Sequence, residues 1–245
     1  MAPFTVVRSL LNAAARRKQQ KAMDAGGSEG GRTAIVARTN QQSSQLYYLF
    51  KGVEHRFMMN PLTFLSKTGI LERNLVMLRD AACSLYHGTI ADDLCGFESI
   101  LARLQEYGQN LSGCSEVYCS GTSAGAYAAI LFGHYLQVDV VIAFAPPTLI
   151  DVEEFRKRHS LSPSWILPEK HRDLAALLAE GNGRTEYRLY YCRNCARDRI
   201  HAERLARCPG VSLHPQPGNK HNVVDILDNL GGLEEIFSSG RLLEN

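Results

Sequence analysis

Strand-like and helix-like segments alternate along most of the chain, and this alternation restricts the fold more than any other feature. The run "VDVVIAFAP" (138–146) is almost continuously apolar, which is typical of a parallel strand covered on both faces. Further strands are predicted in "QLYYLFKGV", "NLVMLRD", "SEVYCSG", "TEYRLYYC" and "GVSLHP". Because helical segments separate these strands, the sequence predicts an α/β fold with a mainly parallel, doubly wound sheet.

Two helical segments carry specific expectations about where they begin or break. In "DDLCGFESILARLQEYG", Asp92 and Asp93 are predicted at the helix start, where acidic side chains favour the helix dipole. The last segment, "HNVVDILDNLGGLEEIF", predicts a helix that is broken or kinked at Gly231 and Gly232.

The first 32 residues differ in composition from the rest of the chain. Before the first acid, Asp24, the basic residues are Arg8, Arg16, Arg17, Lys18 and Lys21. The following "DAGGSEGGR" has the composition of a flexible linker. We predict a disordered basic tail and linker over residues 1–32 and one folded domain over 33–245. The tail lacks the apolar centre of a secretory signal, so a cytoplasmic location is predicted; its Arg-rich composition also resembles a mitochondrial transit peptide, which is the alternative.

Overall composition excludes several classes of partner. The net charge of +2 is too small a bias to indicate nucleic acid binding, and no apolar run approaches the ~18 residues of a membrane span. Seven cysteines in apolar contexts favour reduced thiols. The Cys-x-x-Cys pair, Cys192 and Cys195, lacks a second ligand pair at zinc spacing, and no dinucleotide or phosphate-loop motif occurs. We therefore predict neither a metal nor a cofactor, and the oligomeric state stays open.

The pentad "GTSAG" (121–125) lies where a predicted strand meets a predicted helix. A serine on such a tight turn takes a strained backbone conformation that lifts its hydroxyl clear of the sheet. The positions two before and two after the serine then crowd each other, which favours glycine at Gly121 and Gly125. Ser123 is thus a candidate nucleophile, and the Ala124 amide is a candidate oxyanion donor at the helix N-terminus. A plain connecting turn is the alternative.

A serine nucleophile needs a base, and the base needs an acid that orients it. Asp198 follows the strand "TEYRLYYC", and His221 follows "GVSLHP" just ahead of the last helix. The resulting chain order of serine, acid and histidine is that of a sheet elbow. Asp225 is the fallback acid. The histidines that compete with His221 for the role of base are His55, His201 and His214.

Together these segments resemble the α/β-hydrolase superfamily over roughly residues 45–237. The resemblance rests on "GTSAG", on the strand followed by "ARDRIHAERL", and on "GNKHNVVDIL". It implies that Ser123 is the nucleophile, His221 the general base and then acid, and Asp198 the orienting carboxylate. The second oxyanion amide of this family comes from the loop after an early strand, here "FKGVEHRF". The resemblance therefore places Gly52 and Val53 at the oxyanion site, with Val53 as the donor.

Other features of the family shape the expected site. Its early antiparallel strands have room only in "TAIVARTNQQSS", so a sheet with trimmed N-terminal strands is predicted. Residues 147–170 resemble the cap found at this place in many members, where Trp165, Ile166 and Leu167 would wall an acyl pocket. His55, beside the oxyanion loop, is a second candidate pocket residue. The basic run "RKRH" in the cap is predicted to be a solvated face.

The resemblance implies a serine esterase or thioesterase that forms an acyl-enzyme with a small-molecule or carrier-tethered acyl substrate. An acyltransferase or condensing enzyme would use the same triad, and a non-catalytic binding protein would retain only the fold. "GTSAGA" also resembles the patatin-like lipases, which use a serine–aspartate dyad. That alternative is disfavoured because no Asp-Gly pair follows the serine.

Overall fold

The computed structural model describes residues 34–111 and 113–238. The tail and linker predicted over residues 1–32 lie outside the described residues. In chain order the described strands are β1 (Ile35–Arg38), β2 (Gln45–Phe50), β3 (Asn74–Leu78), β4 (Thr89–Ala91), β5 (Leu94–Cys95), β6 (Glu116–Thr122), β7 (Val140–Phe144), β8 (Glu186–Cys192) and β9 (Val211–Gln216).

Seven of these strands form one sheet in the order β1-β3-β2-β6-β7-β8-β9, and β4 pairs with β5 in a separate hairpin. Strand β1 runs antiparallel to β3, and every other neighbouring pair in the large sheet is parallel. This arrangement confirms the mainly parallel α/β fold predicted from the alternation. It also confirms the trimmed sheet, because β1 is the antiparallel strand of the large sheet within the described residues and lies in "TAIVARTNQQSS".

The described helices flank the sheet and connect its strands. They are α1 (Pro61–Lys67), α2 (Gly96–Asn110), α3 (Ala124–Leu136), α4 (Val152–Arg158), α5 (Leu174–Leu178), α6 (Ala196–Glu203), α7 (Val223–Asn229) and α8 (Leu233–Ser238). The last two confirm the break predicted at Gly231 and Gly232. None of the helices in the described part is long and apolar enough to cross a bilayer.

The predicted start of α2 is wrong by a few residues. Helix α2 begins at Gly96 rather than at Asp92 and Asp93, because Leu94 and Cys95 pair with β4 instead. The two aspartates lie at the turn of that hairpin. Asp93 still supports the helix, since its carboxylate accepts from Arg103 at 2.9 Å.

Among the described helices, α3 contains the most buried residues, and it packs against the middle strands β2, β6 and β7. Every residue from 125 to 133 is buried. The ring of Phe132 stacks on Phe50 at 5.2 Å, at the end of β2, and packs on Phe97 of α2 at 4.7 Å. The start of α3 lies beside the carboxyl end of β2, since a β-carbon on Gly125 would be only 2.1 Å from the Phe50 carbonyl oxygen. This is the edge of a parallel sheet where ligands bind.

Candidate active site

The turn between β6 and α3 holds Ser123 in a strained conformation. The φ and ψ angles of Ser123 are 52° and −121°, a region that L-residues rarely adopt. Its amide donates to the carbonyl oxygen of Phe144 at 2.8 Å, which ties the turn to β7. A β-carbon on Gly121 would lie 2.2 Å from the Gly125 carbonyl oxygen, and one on Gly125 would lie 2.1 Å from that of Phe50. Only glycine fits at both positions, as the crowding argument predicts.

Asp198 and His221 are joined by a hydrogen bond. His221 Nδ1 lies 2.9 Å from both carboxylate oxygens of Asp198, whose side chain is only 2% exposed. Burial by itself would raise the pKa of Asp198, but the hydrogen bond and charge of His221 hold this pKa below its ordinary value. Arg197 assists, because its Nε lies 3.4 Å from Asp198 Oδ1. Asp198 is thus an ionised acceptor that orients the His221 ring.

The fallback acid and one competing histidine are engaged elsewhere. Asp225 lies in the first turn of α7, where its carboxylate accepts from the side-chain amide of Asn222 and its backbone amide donates to Asn222 Oδ1 at 3.1 Å. The ring of His214 stacks on Tyr190 at 4.6 Å. The geometry therefore pairs His221 with Asp198 rather than with Asp225.

A cavity of about 370 Å³ brings the candidate residues together. Its walls include Ser123, Ala124, Asp198 and His221, together with Val53 from the loop after β2. These residues come from four separate connections that follow parallel strands, so they meet at the carboxyl edge of the sheet. Ala124 is the first residue of α3, where backbone amides have no acceptor within the helix.

The loop after β2 distinguishes the two residues predicted for the oxyanion site. The Gly52 amide donates to the Arg56 carbonyl oxygen at 2.9 Å, so it is not available to a ligand. Among the described residues, the Val53 amide has no acceptor, and Val53 lines the cavity. Gly52 has a different task, because a β-carbon there would lie 2.9 Å from the Thr122 carbonyl oxygen. Its small size lets the loop approach the residue before Ser123.

The same loop is tied to the neighbours of Ser123 and His221. Thr122 Oγ1 donates to the Arg56 carbonyl oxygen at 3.3 Å, and Asn222 Nδ2 donates to the Met58 carbonyl oxygen at 2.9 Å. Thr122 directly precedes the serine, and Asn222 directly follows the histidine. These two side chains hold the loop in place relative to Ser123 and His221. Sequence patterns gave no signal for either contact, since each joins residues far apart in the chain.

The structure corrects the two predicted pocket residues. Trp165 is buried, but its indole nitrogen donates to the Ser84 carbonyl oxygen at 3.1 Å and its ring packs against Phe155 at 5.7 Å. Phe155 lines the cavity, whereas Trp165 and His55 are not among the lining residues. Trp165 therefore anchors the segment 147–170 to the loop after β3. Of its neighbours, Ile166 is exposed and Leu167 is fully buried.

One face of α4 lines the cavity, a feature that was not predicted from the sequence. The lining residues are Glu154, Phe155 and Arg158 of α4, together with Asp151 and His159, which flank the helix. Their spacing of three or four residues is typical of a single helical face, so the sequence contained a pattern from which this shared face could have been predicted. Arg158 is exposed, as predicted for the "RKRH" run, and the last two residues of this run, Arg158 and His159, also line the cavity.

Helix α6 supplies two further lining residues, Arg197 and His201. They lie four apart, on either side of Asp198 along the helix. The Nδ1 of His201 accepts from the Thr148 amide at 3.1 Å, and burial lowers the pKa of His201. His201 is thus a neutral wall residue near pH 7, held by a backbone donor.

Comparisons with known proteins identify the fold. No family model matches the chain, and no curated protein matches it in sequence. Among solved structures, MenH from Staphylococcus aureus is 13% identical with a TM-score of 0.56, over 84% of this chain and 97% of that one. The capsule O-acetyltransferase of Neisseria meningitidis serogroup A is 12% identical with a TM-score of 0.60, over 84% and 90%. An esterase of Pyrococcus furiosus is 13% identical with a TM-score of 0.53, over 83% and 88%.

The chain has the α/β-hydrolase fold. At these identities the likeness concerns the fold, so the chemistry has to be argued from the site itself. Within the α/β-hydrolase fold of this chain, the described sheet carries one antiparallel strand, β1, at its edge. The segment between β7 and α5 is short and contains a single α-helix, α4.

Proposed function

We propose that the protein is a serine hydrolase that acts on an ester or thioester through an acyl-enzyme. The observation that carries this proposal is the arrangement around the cavity. Ser123 lies on a strained elbow, and His221 lines the same cavity with its Nδ1 held by the buried carboxylate of Asp198. A nucleophile, a base and an orienting acid are the parts that acyl transfer through serine needs.

The roles follow from the hydrogen bond between His221 and Asp198. Because Nδ1 donates to the carboxylate, the other ring nitrogen, Nε2, is the basic one. Nε2 takes the proton of Ser123 as the hydroxyl attacks the acyl carbon, and it then returns that proton to the leaving group. Water deprotonated by the same nitrogen releases the acid from Ser123. Asp198 stabilises the imidazolium formed in each half-reaction.

The Ala124 and Val53 amides would hold the oxyanion of the tetrahedral intermediates. Both residues line the cavity beside Ser123. Ala124 stands at the positive end of the 13-residue helix α3, which favours a developing negative charge.

Acyl transfer to an alcohol or amine is a second candidate, favoured by the polar outer wall of the cavity. Glu154 and Arg158 of α4 and Arg197 of α6 stand there and could bind a polar acceptor that competes with water. One solved structure that shares the fold is described as an O-acetyltransferase. In both reactions the first half, acylation of Ser123, is the same.

The proposal is tested by labelling with a fluorophosphonate, which reacts with activated serines. We expect the wild type to be labelled and both Ser123→Ala and His221→Ala to lose labelling while keeping their circular dichroism spectra. Wild-type protein that is folded but unlabelled would contradict the proposal and favour a binding protein. Labelling that survives His221→Ala would favour the serine–aspartate dyad.

A second experiment identifies the leaving group and the acyl acceptor of the reaction. Rates of hydrolysis of matched p-nitrophenyl esters and acyl thioesters distinguish esterase from thioesterase. Adding a simple alcohol or amine then measures how the acyl-enzyme partitions. We expect hydrolysis to dominate, and preferential formation of the transfer product would instead support the acyltransferase.

A further inference from the structure

The Tyr86 hydroxyl lies at the carboxyl ends of the paired strands β2 and β3, next to the loop that contains Val53. Its hydroxyl lies 3.0 Å from the Lys51 carbonyl oxygen and 3.2 Å from that of Leu78, and the side chain is 1% exposed. The Lys51 amide donates to the same Leu78 oxygen at 3.2 Å. Burial raises the pKa of Tyr86 well above its ordinary value, so the hydroxyl remains a donor.

The contact with Lys51 fixes the first of two peptide groups. In the Lys51–Gly52 peptide, the carbonyl accepts from Tyr86 and the amide donates to the Arg56 carbonyl oxygen. In the Gly52–Val53 peptide, the carbonyl accepts from the His55 amide at 2.8 Å. A trans peptide is planar and its N–H points opposite to its C=O. Hydrogen bonds therefore hold both polar groups of the first peptide and the carbonyl of the second. Together they set the direction of the remaining group, the Val53 N–H.

The loop that carries Tyr86 is itself held in an unfavourable shape. Cys83, Leu85 and Tyr86 all have positive φ angles, between 53° and 61°, which side chains with a β-carbon disfavour. The buried carboxylate of Asp80 accepts from the Tyr86 amide at 2.9 Å and from Ser84 Oγ at 3.1 Å. A short loop is thus bent around one carboxylate so that the Tyr86 ring reaches β2.

We propose that Tyr86 is a positioning residue for the oxyanion site, acting through the Lys51 carbonyl to aim the Val53 amide. The inference rests on the proposed function, because it assigns a task within the same site. Tyr86 does not line the cavity, so it acts on the reaction only through the loop. Its loss should therefore weaken binding of the oxyanion and leave binding of the ground-state substrate unchanged.

The test compares Tyr86→Phe with Tyr48→Phe. Tyr86→Phe keeps the ring, which packs edge-on against Phe50 at 5.3 Å, and removes only the hydroxyl. Tyr48 is a matched control on β2, since its buried hydroxyl also donates to a carbonyl oxygen, that of Leu104 at 2.6 Å, away from the loop. The measurements are kcat and KM for a p-nitrophenyl ester, the rate of fluorophosphonate labelling, and the melting temperature.

We expect Tyr86→Phe to lower kcat and the labelling rate about tenfold with KM within about twofold, which is less than the loss of a whole oxyanion donor. Tyr48→Phe should lower the melting temperature and leave kcat and KM within about twofold. Equal effects of the two variants on kcat, or a rise in KM alone, would overturn the inference. Failure of the wild type to label would instead contradict the proposed function.

Two further variants complete the test. Val53→Pro removes the amide hydrogen itself, and Tyr86→Phe should cost no additional labelling rate in that background, because the two act through one donor. Independent, multiplying losses would overturn the inference. If Tyr86→Phe melts below the assay temperature, Asp80→Asn replaces it. The side-chain amide of that variant cannot accept all the bonds of the Asp80 carboxylate, so kcat should again fall without a change in KM, and an unchanged kcat would overturn the inference.

Discussion

At the scale of single residues, the contact between Asp198 and His221 is the most sensitive part of the proposed chemistry. Asp198→Asn replaces an acceptor that faces Nδ1 with an amide, which favours the tautomer that places the proton on Nε2. We expect kcat for ester hydrolysis to fall about 10³- to 10⁴-fold, as it does when the acid of a serine triad becomes an amide. Steady-state kinetics measure the loss, and the melting temperature shows whether the fold is retained.

Asp225→Asn is the matched control, since it makes the same change in the other acid near His221. Asp225 bonds with Asn222 within the first turn of α7, so its replacement should leave kcat within about twofold. A large loss in Asp225→Asn with little loss in Asp198→Asn would reassign the orienting acid.

What the sequence could predict about these residues depends on how far apart their partners lie. Ser123, Asp198 and His221 were candidates because each follows a recognisable strand and the three come in a defined order. Tyr86 carried no such signal, because its contact with Lys51 spans 35 positions and depends on a loop of non-glycine residues with positive φ. A local sequence pattern predicts neither a contact between residues so far apart nor a positive φ at a residue other than glycine.

At the scale of elements, the approach of α3 to β2 is set by Gly125. A β-carbon there would lie 2.1 Å from the Phe50 carbonyl oxygen and 2.8 Å from that of Lys51. Gly125→Ala must therefore push the helix start away from both the strand and the loop after it. We expect the free energy of unfolding to fall by about 2–3 kcal/mol, and kcat to fall as well because Ala124 moves. Urea denaturation and ester hydrolysis measure the two effects.

Gly133→Ala provides the control at the other end of the same helix. Its β-carbon would lie 2.4 Å from a methyl group of Val141, and a side chain can shift where backbone cannot. This variant should lose about 1–2 kcal/mol of stability and retain its kcat. Parallel losses of kcat in the two variants would contradict the link between the position of the helix start and catalysis.

The strands and helices that were predicted well are those in which five or more residues follow one hydrophobic pattern. Strand β7 is a continuous apolar run. Strand β8 is mostly aromatic and aliphatic, although it also contains Glu186 and Arg188. Both strands lie where the sequence predicts them. The β4–β5 hairpin was missed because strands of three and two residues have too few positions to show alternation, and only pairing defines them. The cavity-facing side of α4 was missed for another reason: its charged residues also form ion pairs typical of a solvated helix, such as Arg156 with Glu153.

At the scale of the whole molecule, stability in mild acid should depend on two neighbouring histidines, the half-buried His87 and the buried His171. Together with Tyr135 they join three of the connections between strands of the sheet. His87 Nδ1 bonds with the Leu85 carbonyl oxygen at 2.8 Å, and His87 Nε2 lies 2.8 Å from His171 Nδ1. His171 Nε2 accepts from the Tyr135 hydroxyl at 3.1 Å. Every ring nitrogen thus has a partner when both rings are neutral, and a proton added to His87 Nε2 would face the donor at His171 Nδ1.

The pH dependence follows from the direction of the pKa shifts. Burial lowers the pKa of each histidine from 6.5 to about 4, and for His171 the neighbouring charges of His87 and Lys170 add to the effect. Between these values the unfolded chain binds more protons than the folded one, so stability decreases as the pH falls from 6.5 towards 4. For His87 alone the loss is roughly 2–3 kcal/mol. From about one pH unit above 6.5 upwards, both states are deprotonated and the pair should contribute no pH dependence.

The double variant His87→Gln, His171→Gln isolates this contribution. Other histidines with lowered pKa values titrate in both proteins, so they cancel when the two pH profiles are subtracted. We expect the double variant to be less stable than the wild type at pH 7 but to lose markedly less stability between pH 6.5 and pH 4.5, as measured by urea denaturation at each pH. Parallel profiles would contradict this prediction, because they would mean that the two histidines have the same pKa values in the folded and the unfolded protein.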